Sequence, residues 1–297
     1  MSAGAYRDSL DRLIDLALEE DLGAAGDVTT EALVPAEALG QAELWAKEPM
    51  ILSGLDAFRR AFERFDARVR TTALAEPGQA VGPKACVARV EGPLRSLLSA
   101  ERTALNLVQR ASGIATLARQ AVDAVGKVKG SRLRVLDTRK TGPGWRVLAK
   151  QAVRDGGAGC HRFGLFDGVL IKDNHLAAVG SVKEALRRAR AHASHLTGIE
   201  VEVTSLEQLD EALGEGADVI MLDNMADPLI REAVKRTAGR AKLEVSGGVT
   251  LDRLPVLAKL GVDFVSMGAL THSARAMDLS LEICAAPRPA TSRRARR

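Results

Sequence analysis

The chain has 297 residues, 46% hydrophobic and 27% charged, with a formal net charge of +4. That length and composition suit a globular α/β enzyme of one large domain or two, and they exclude a fibrous or disordered chain. No apolar run nears the roughly 18 residues that a membrane-spanning helix needs. Residues 6–21 carry a helical stripe of Leu10, Leu13, Ile14 and Ala17, closed by Glu19, Glu20 and Asp21. This segment has no signal-peptide core and reads as an amphipathic acidic helix, so a cytoplasmic protein is expected. Alternation at 41–47 and 84–91 predicts strands, with a helix at 55–66 between them. A helical pattern then runs almost unbroken from 93 to 125, long enough to join two domains.

From 132 onward the pattern becomes a repeat of short apolar run, polar terminus and helix. Strands are predicted at 133–140, 168–175, 198–205, 218–224, 242–248 and 263–269, and helices at 144–155, 181–195, 206–215, 226–238 and 250–261. Apolar strands alternating with helices imply a parallel sheet covered on its outer face, and this many units suggest a β/α barrel. Cys86, Cys160 and Cys284 are too few and too far apart for a disulfide framework or a zinc site. The tail 287–297 holds Arg288, Arg293, Arg294, Arg296 and Arg297 and no acid, which predicts a solvated, disordered end with no nucleic-acid role.

In a β/α barrel, reactive groups lie at the carboxyl ends of the strands. Here those ends carry Arg139 and Lys140, Lys172, Glu202, Asp223, Ser246-Gly247-Gly248, and Gly268-Ala269. His161 and Arg162 follow a Gly-rich turn between the first two strands. So many cations in one interior repel each other unless an anion sits among them, and the simplest anion is a ligand. Arg139 and Arg162 suit bidentate carboxylate binding; Lys140 and Lys172 are point charges suited to a phosphate or to developing charge. Glu202 and Asp223 would hold Mg²⁺ or a sugar diol, or pair with the cations. His161 would donate to an anion, orient Arg162, or sit in the core. The glycines allow backbone N–H groups to approach a phosphate closely. Arg102, on the long helix, reads alone as a solvated charge.

The runs DTRKTGPGWRVLAKQAV, HRFGLFDGVLIKDNH, MLDN, SGGVT and GALTHS, preceded by EEDLGAAGDVTT and ERTALNLVQRASGIAT, resemble the quinolinate phosphoribosyltransferases. The resemblance implies an N-terminal α/β sandwich with its joining helix over 1–115. It implies an incomplete, open β/α barrel of the type II phosphoribosyltransferase kind over 116–286. The implied reaction moves the phosphoribosyl group of phosphoribosyl pyrophosphate to quinolinate with loss of CO₂, giving nicotinate mononucleotide and pyrophosphate in NAD biosynthesis. Mg²⁺ and a homodimer come with it.

By the same resemblance, Arg139, Arg162 and Lys172, with His161 nearby, bind the two carboxylates of quinolinate. Thr138 joins the substrate-binding set, and Lys140 faces phosphoribosyl pyrophosphate. Glu202 and Asp223 lie near its ribose and Mg²⁺. Ser246, Gly247, Gly248, Gly268 and Ala269 take its 5-phosphate, with His272 close by, and Arg102 reaches the neighbouring subunit's site. Lys140, Lys172, Glu202 and Asp223 are the expected catalytic groups. The chain departs from the family at Cys160, where an Asn is usual, in the turn GGAGC, and at Thr204-Ser205. Three other readings stay open on the residues: a related transferase for another aromatic acid, an aldolase using Lys172 as a Schiff base, and nucleic-acid binding by the tail.

Overall fold

A computed structural model describes residues 3–284; the basic tail expected at 287–297 lies outside them. The chain forms two compact units, one of residues up to 113 together with those from 275 onward, the other of 114–274. The first begins with α1 (Ala3–Leu22), α2 (Val28–Leu33), β1 (Leu39–Ala46), β2 (Met50–Ile51) and α3 (Leu55–Phe65). It continues with β3 (Arg70–Ala73), β4 (Ala80–Val81), β5 (Cys86–Pro93) and α4 (Leu94–Gly126), within which the boundary falls. The second unit holds β6 (Arg134–Leu136), α5 (Arg146–Asp155), β7 (Val169–Ile171), α6 (Asp173–Val179) and α7 (Val182–His192). Then come β8 (Ile199–Val203), α8 (Leu206–Gly214), β9 (Val219–Asp223), α9 (Asp227–Thr237), β10 (Lys242–Ser246), α10 (Leu254–Leu260), β11 (Phe264–Ser266) and α11 (Ala269–His272). The last strand, β12 (Leu279–Cys284), belongs to the first unit.

In the first unit, β12-β1-β5-β3 form an antiparallel sheet and β2 pairs with β4. α1 and α3 bury Leu10, Ile14 and Leu18 with Phe58 and Phe62, whose rings meet edge to face at 5.2 Å. Their polar flanks are tied by Arg60, which grips both oxygens of Asp11 at 2.7 Å. The expected limit of the barrel at 286 is corrected by β12. Its alternating Leu279 and Leu281 are buried, and it pairs with β1 from Ala46↔Leu279 to Gln41↔Cys284. Glu48 steers the chain there, accepting from Arg275 and from the Asp278 N–H, and these bonds hold its carboxyl down at about 2.

The second unit is a six-stranded parallel sheet ordered β6-β11-β10-β9-β8-β7. All six predicted strands are present, the first, second and last much shorter than expected. β6 makes one further parallel bridge, Leu136 to Gly159, and among the described residues no ladder joins that bridge to β7. The barrel is therefore open at this seam, as the resemblance implied. Because side chains alternate along a strand, Glu200 and Glu202 share one face of β8, Met221 and Asp223 one face of β9, and Glu244 and Ser246 one face of β10. The register sets Glu202 beside Met221, Met221 beside Glu244, and Asp223 beside Ser246.

Candidate active site

Every candidate residue except Arg102 lies in the second unit; Arg102 is an exposed residue of α4 in the first. The arginines come first. Arg139 is half-buried and its Nε has no hydrogen-bond partner, while Arg162 donates from Nη1 to the Gly168 carbonyl at 3.1 Å. Burial and the neighbouring Arg139 charge pull the Arg162 pKa down. Arg146, unnoticed in the sequence, braces the two loops that carry this pair. It donates to the carbonyls of Arg139 at 3.2 Å and Phe163 at 3.3 Å, and to Thr141 Oγ1 at 3.2 Å. Two adjacent cations, one with an unspent buried N–H, have the donors and charge that a carboxylate would satisfy.

A second group missed in the sequence lies just behind them. Lys150, on the buried face of α5, donates to both oxygens of Asp137 at 2.7 and 2.8 Å, and to the His161 carbonyl at 2.9 Å. Asp137 also accepts the His161 N–H at 2.8 Å. Burial pushes the Asp137 carboxyl up, and Lys150 opposes it. The His161 ring sits 3.0 Å from Glu200 and 3.7 Å from Glu244. Burial and the nearby Glu200 charge push Glu244 up to about 7. Cys160 takes no part in this holding: its thiol meets the Lys150 carbonyl and the Arg154 guanidinium, each at 3.6 Å.

At the strand ends, Lys172 is paired with Glu202, so part of the cationic charge is balanced within the protein and does not wait for a ligand. Lys172 also stands before α6, where its backbone N–H donates to His175 Nδ1 at 2.9 Å. Asp223 accepts from Asn224 Nδ2 at 2.8 Å. Gly247, at φ +93°, packs so close that a Cβ there would fall 2.2 Å from Asn224 Oδ1. Gly268 is similarly crowded: a Cβ would lie 3.0 Å from the Lys140 side chain and 3.1 Å from His272. Lys140, Gly268 and His272 therefore meet. Thr271 Oγ1 donates to the Lys140 carbonyl at 2.8 Å, and Thr138 Oγ1 accepts its N–H at 3.1 Å. Ala269, expected at a strand end, opens α11 because β11 stops at Ser266.

The models of the quinolinate phosphoribosyl transferase family match this chain over 27–112 for the N-terminal domain and 114–282 for the C-terminal domain. The chain belongs to this family. A nicotinate-nucleotide pyrophosphorylase [carboxylating] of Mycobacterium leprae is 44% identical over 290 residues, covering 94% of this chain and 97% of its own. A probable enzyme of the same name from Bacillus subtilis is 42% identical over 274 residues, 92% of this chain and 93% of that one. The crystal structure of NadC from Streptococcus pyogenes superposes with a TM-score of 0.88 at 40% identity, covering 93% of this chain and 97% of that one.

Proposed function

We propose that this family member transfers the phosphoribosyl group of phosphoribosyl pyrophosphate to quinolinate and releases CO₂, forming nicotinate mononucleotide. The carrying observation is the adjacent pair Arg139 and Arg162, with the unpartnered buried Nε of Arg139. A planar diacid with adjacent carboxylates fits two guanidinium forks and a lysine.

The steps follow from the charges. The pyridine nitrogen attacks the anomeric carbon, and the bond to the pyrophosphate oxygen breaks with its electron pair on the leaving group. Lys140 neutralises that charge, and the Glu202 and Asp223 carboxylates stabilise the cationic sugar. The nitrogen is now positive, so the bond from C2 to its carboxylate can break with the pair left on carbon. CO₂ departs, and the carbon is protonated. Lys172 and the arginines hold the remaining carboxylate meanwhile. Lys172 takes Glu202 Oε2 and Asn224 takes Asp223 Oδ2, leaving each acid a second, hard oxygen of the kind Mg²⁺ prefers. Glu202 and Asp223 would hold that ion, whose charge offsets the pyrophosphate's.

Ser246, Gly247, Gly248, Gly268 and Ala269 receive the 5-phosphate beside His272, with open space above Gly248. The working form is a homodimer in which Arg102 of one chain completes the site of the other. No helix among the described residues is long and apolar enough to cross a membrane, and the reaction belongs to the cytoplasm, where its charged substrates are held. Incubation with quinolinate, phosphoribosyl pyrophosphate and Mg²⁺ should yield CO₂ and nicotinate mononucleotide in equal amounts. Turnover of nicotinate without quinolinate turnover would move the chain to a related transferase.

A further inference from the structure

His161 is held at four points, and the bonds decide what its ring can do. Its backbone N–H and carbonyl are both fixed by the buried Asp137–Lys150 pair, whose side chains are 0% and 2% exposed. Its Nδ1 accepts the Arg162 N–H at 2.7 Å, so that nitrogen offers a lone pair and carries no hydrogen. A neutral imidazole then keeps its hydrogen on Nε2, which faces Glu200 Oε2 at 3.0 Å and Glu244 Oε1 at 3.7 Å. Both ring nitrogens are engaged inside the protein.

The same three side chains stand close enough to ligate a metal, with ligand atoms within 4.8 Å of one another. A metal on Nε2 would require the hydrogen on Nδ1, which would set it against the Arg162 N–H. The tautomer thus argues for an internal brace. Such a brace has a purpose here, because Arg139 and Arg162 repel each other whenever no anion lies between them. A guanidinium fork recognises a carboxylate only if its backbone is fixed. The weak Cys160 thiol contacts cannot supply that fixation.

We propose that His161 is a positioning residue: its ring, set as the Nε2–H tautomer between the Arg162 N–H and the Glu200 carboxylate, fixes Arg162 and does not itself bind the pyridine diacid. The proposal rests on the reading that Arg139 and Arg162 bind that diacid.

The test labels histidine ring nitrogens with ¹⁵N in the full chain and identifies the His161 signals by their loss in His161→Gln. Burial opposes protonation of the ring, but the Glu200 and Glu244 carboxylates push its pKa up, so the spectra are followed to alkaline pH. Once the ring is neutral, the unliganded protein should show His161 with a bare Nδ1 and a protonated Nε2, and saturating quinolinate should leave both signals in place. An Nδ1–H tautomer, or a ring signal displaced by quinolinate as a direct bond would require, overturns the proposal. In kinetics, Glu200→Leu should raise the quinolinate KM at least about tenfold, the worth of one positioned hydrogen bond, without raising that for phosphoribosyl pyrophosphate. Glu200→Gln keeps an acceptor for Nε2–H and should restore the wild-type value. Equal damage by Gln and Leu, or to both substrates, overturns it too. Because the tautomer is read without substrate, a chain that failed to turn over quinolinate would sink the functional reading and leave the tautomer result standing.

Discussion

Lys150 is a charged side chain with almost no exposure, and its value lies in what it leaves behind when removed. Breaking a buried ion pair from one side strands the other charge. Lys150→Met should therefore cost about 3–5 kcal/mol, and the double variant with Asp137→Asn should recover much of it. Thermal melts of the three proteins check this; an undiminished melting temperature in the single variant would contradict it. Arg139→Ala and Arg162→Ala are different in kind. Each loses a charge-assisted contact of roughly 1.5–3 kcal/mol, so the quinolinate KM should rise about ten- to hundredfold. Wild-type affinity in either would show that the carboxylates bind elsewhere.

Glu244 gives the pH prediction. It faces Glu200 on β8, His161 beyond the seam, and Lys172 at the end of β7, and its carboxyl sits at about 7 against an ordinary 4.5. As pH rises from 4.5 towards 7, the unfolded chain releases this proton while the folded chain keeps it, so stability falls across that window and levels off above it. Glu244→Gln removes the cost. Urea denaturation should find the variant gaining on wild type between pH 5 and pH 8, by on the order of 2–3 kcal/mol. A gap that stays constant between the two pH values would refute the assignment.

At the scale of elements, the polar strand ends were legible because the apolar runs stop on polar residues or glycines, and this was enough to place Lys172, Glu202, Asp223 and Ser246 at the ends of β7, β8, β9 and β10. What escaped had no local signal. β2 and β4 are two residues long and show no period, and β12 owes its place to a partner more than 200 residues away. α6 (Asp173–Val179) is N-capped by Lys172 where Ser, Thr or Asp is usual, with His175 at the third position accepting the cap's N–H, so the sequence reads on as a strand. Asp137 and Lys150 were hidden in plain motifs because only the packing of α5 against β6 shows that they meet. The loop after β10 offers a contrast. Gly247→Ala would combine a left-handed backbone with a clash on Asn224, and should cost upwards of about 2 kcal/mol. Because Asn224 holds Asp223, the KM for phosphoribosyl pyrophosphate should rise more than that for quinolinate. Gly248, at φ +57°, has nothing within 4 Å of an added Cβ. Gly248→Ala should cost only about 1 kcal/mol, the strain of the backbone alone. Equal effects at both positions would remove Asn224 from the argument.

For the whole molecule, Arg102 is the residue that a single chain leaves unexplained. It is exposed on α4 and belongs to the first unit, whereas every other candidate lies in the second. A dimer with twofold symmetry would use such a residue twice, once in each site. Arg102→Ala and Lys172→Ala should each be nearly inactive alone. Mixed and allowed to exchange subunits, half of the dimers will hold one chain of each kind. In those, one site combines an intact barrel with an intact Arg102, and the other carries both lesions. About a quarter of wild-type activity should therefore return, from two proteins that have almost none. If each site were built from one chain, every site would keep its lesion and no activity would return, however complete the exchange. Subunit exchange followed by a differently tagged pull-down separates that result from a failure to mix.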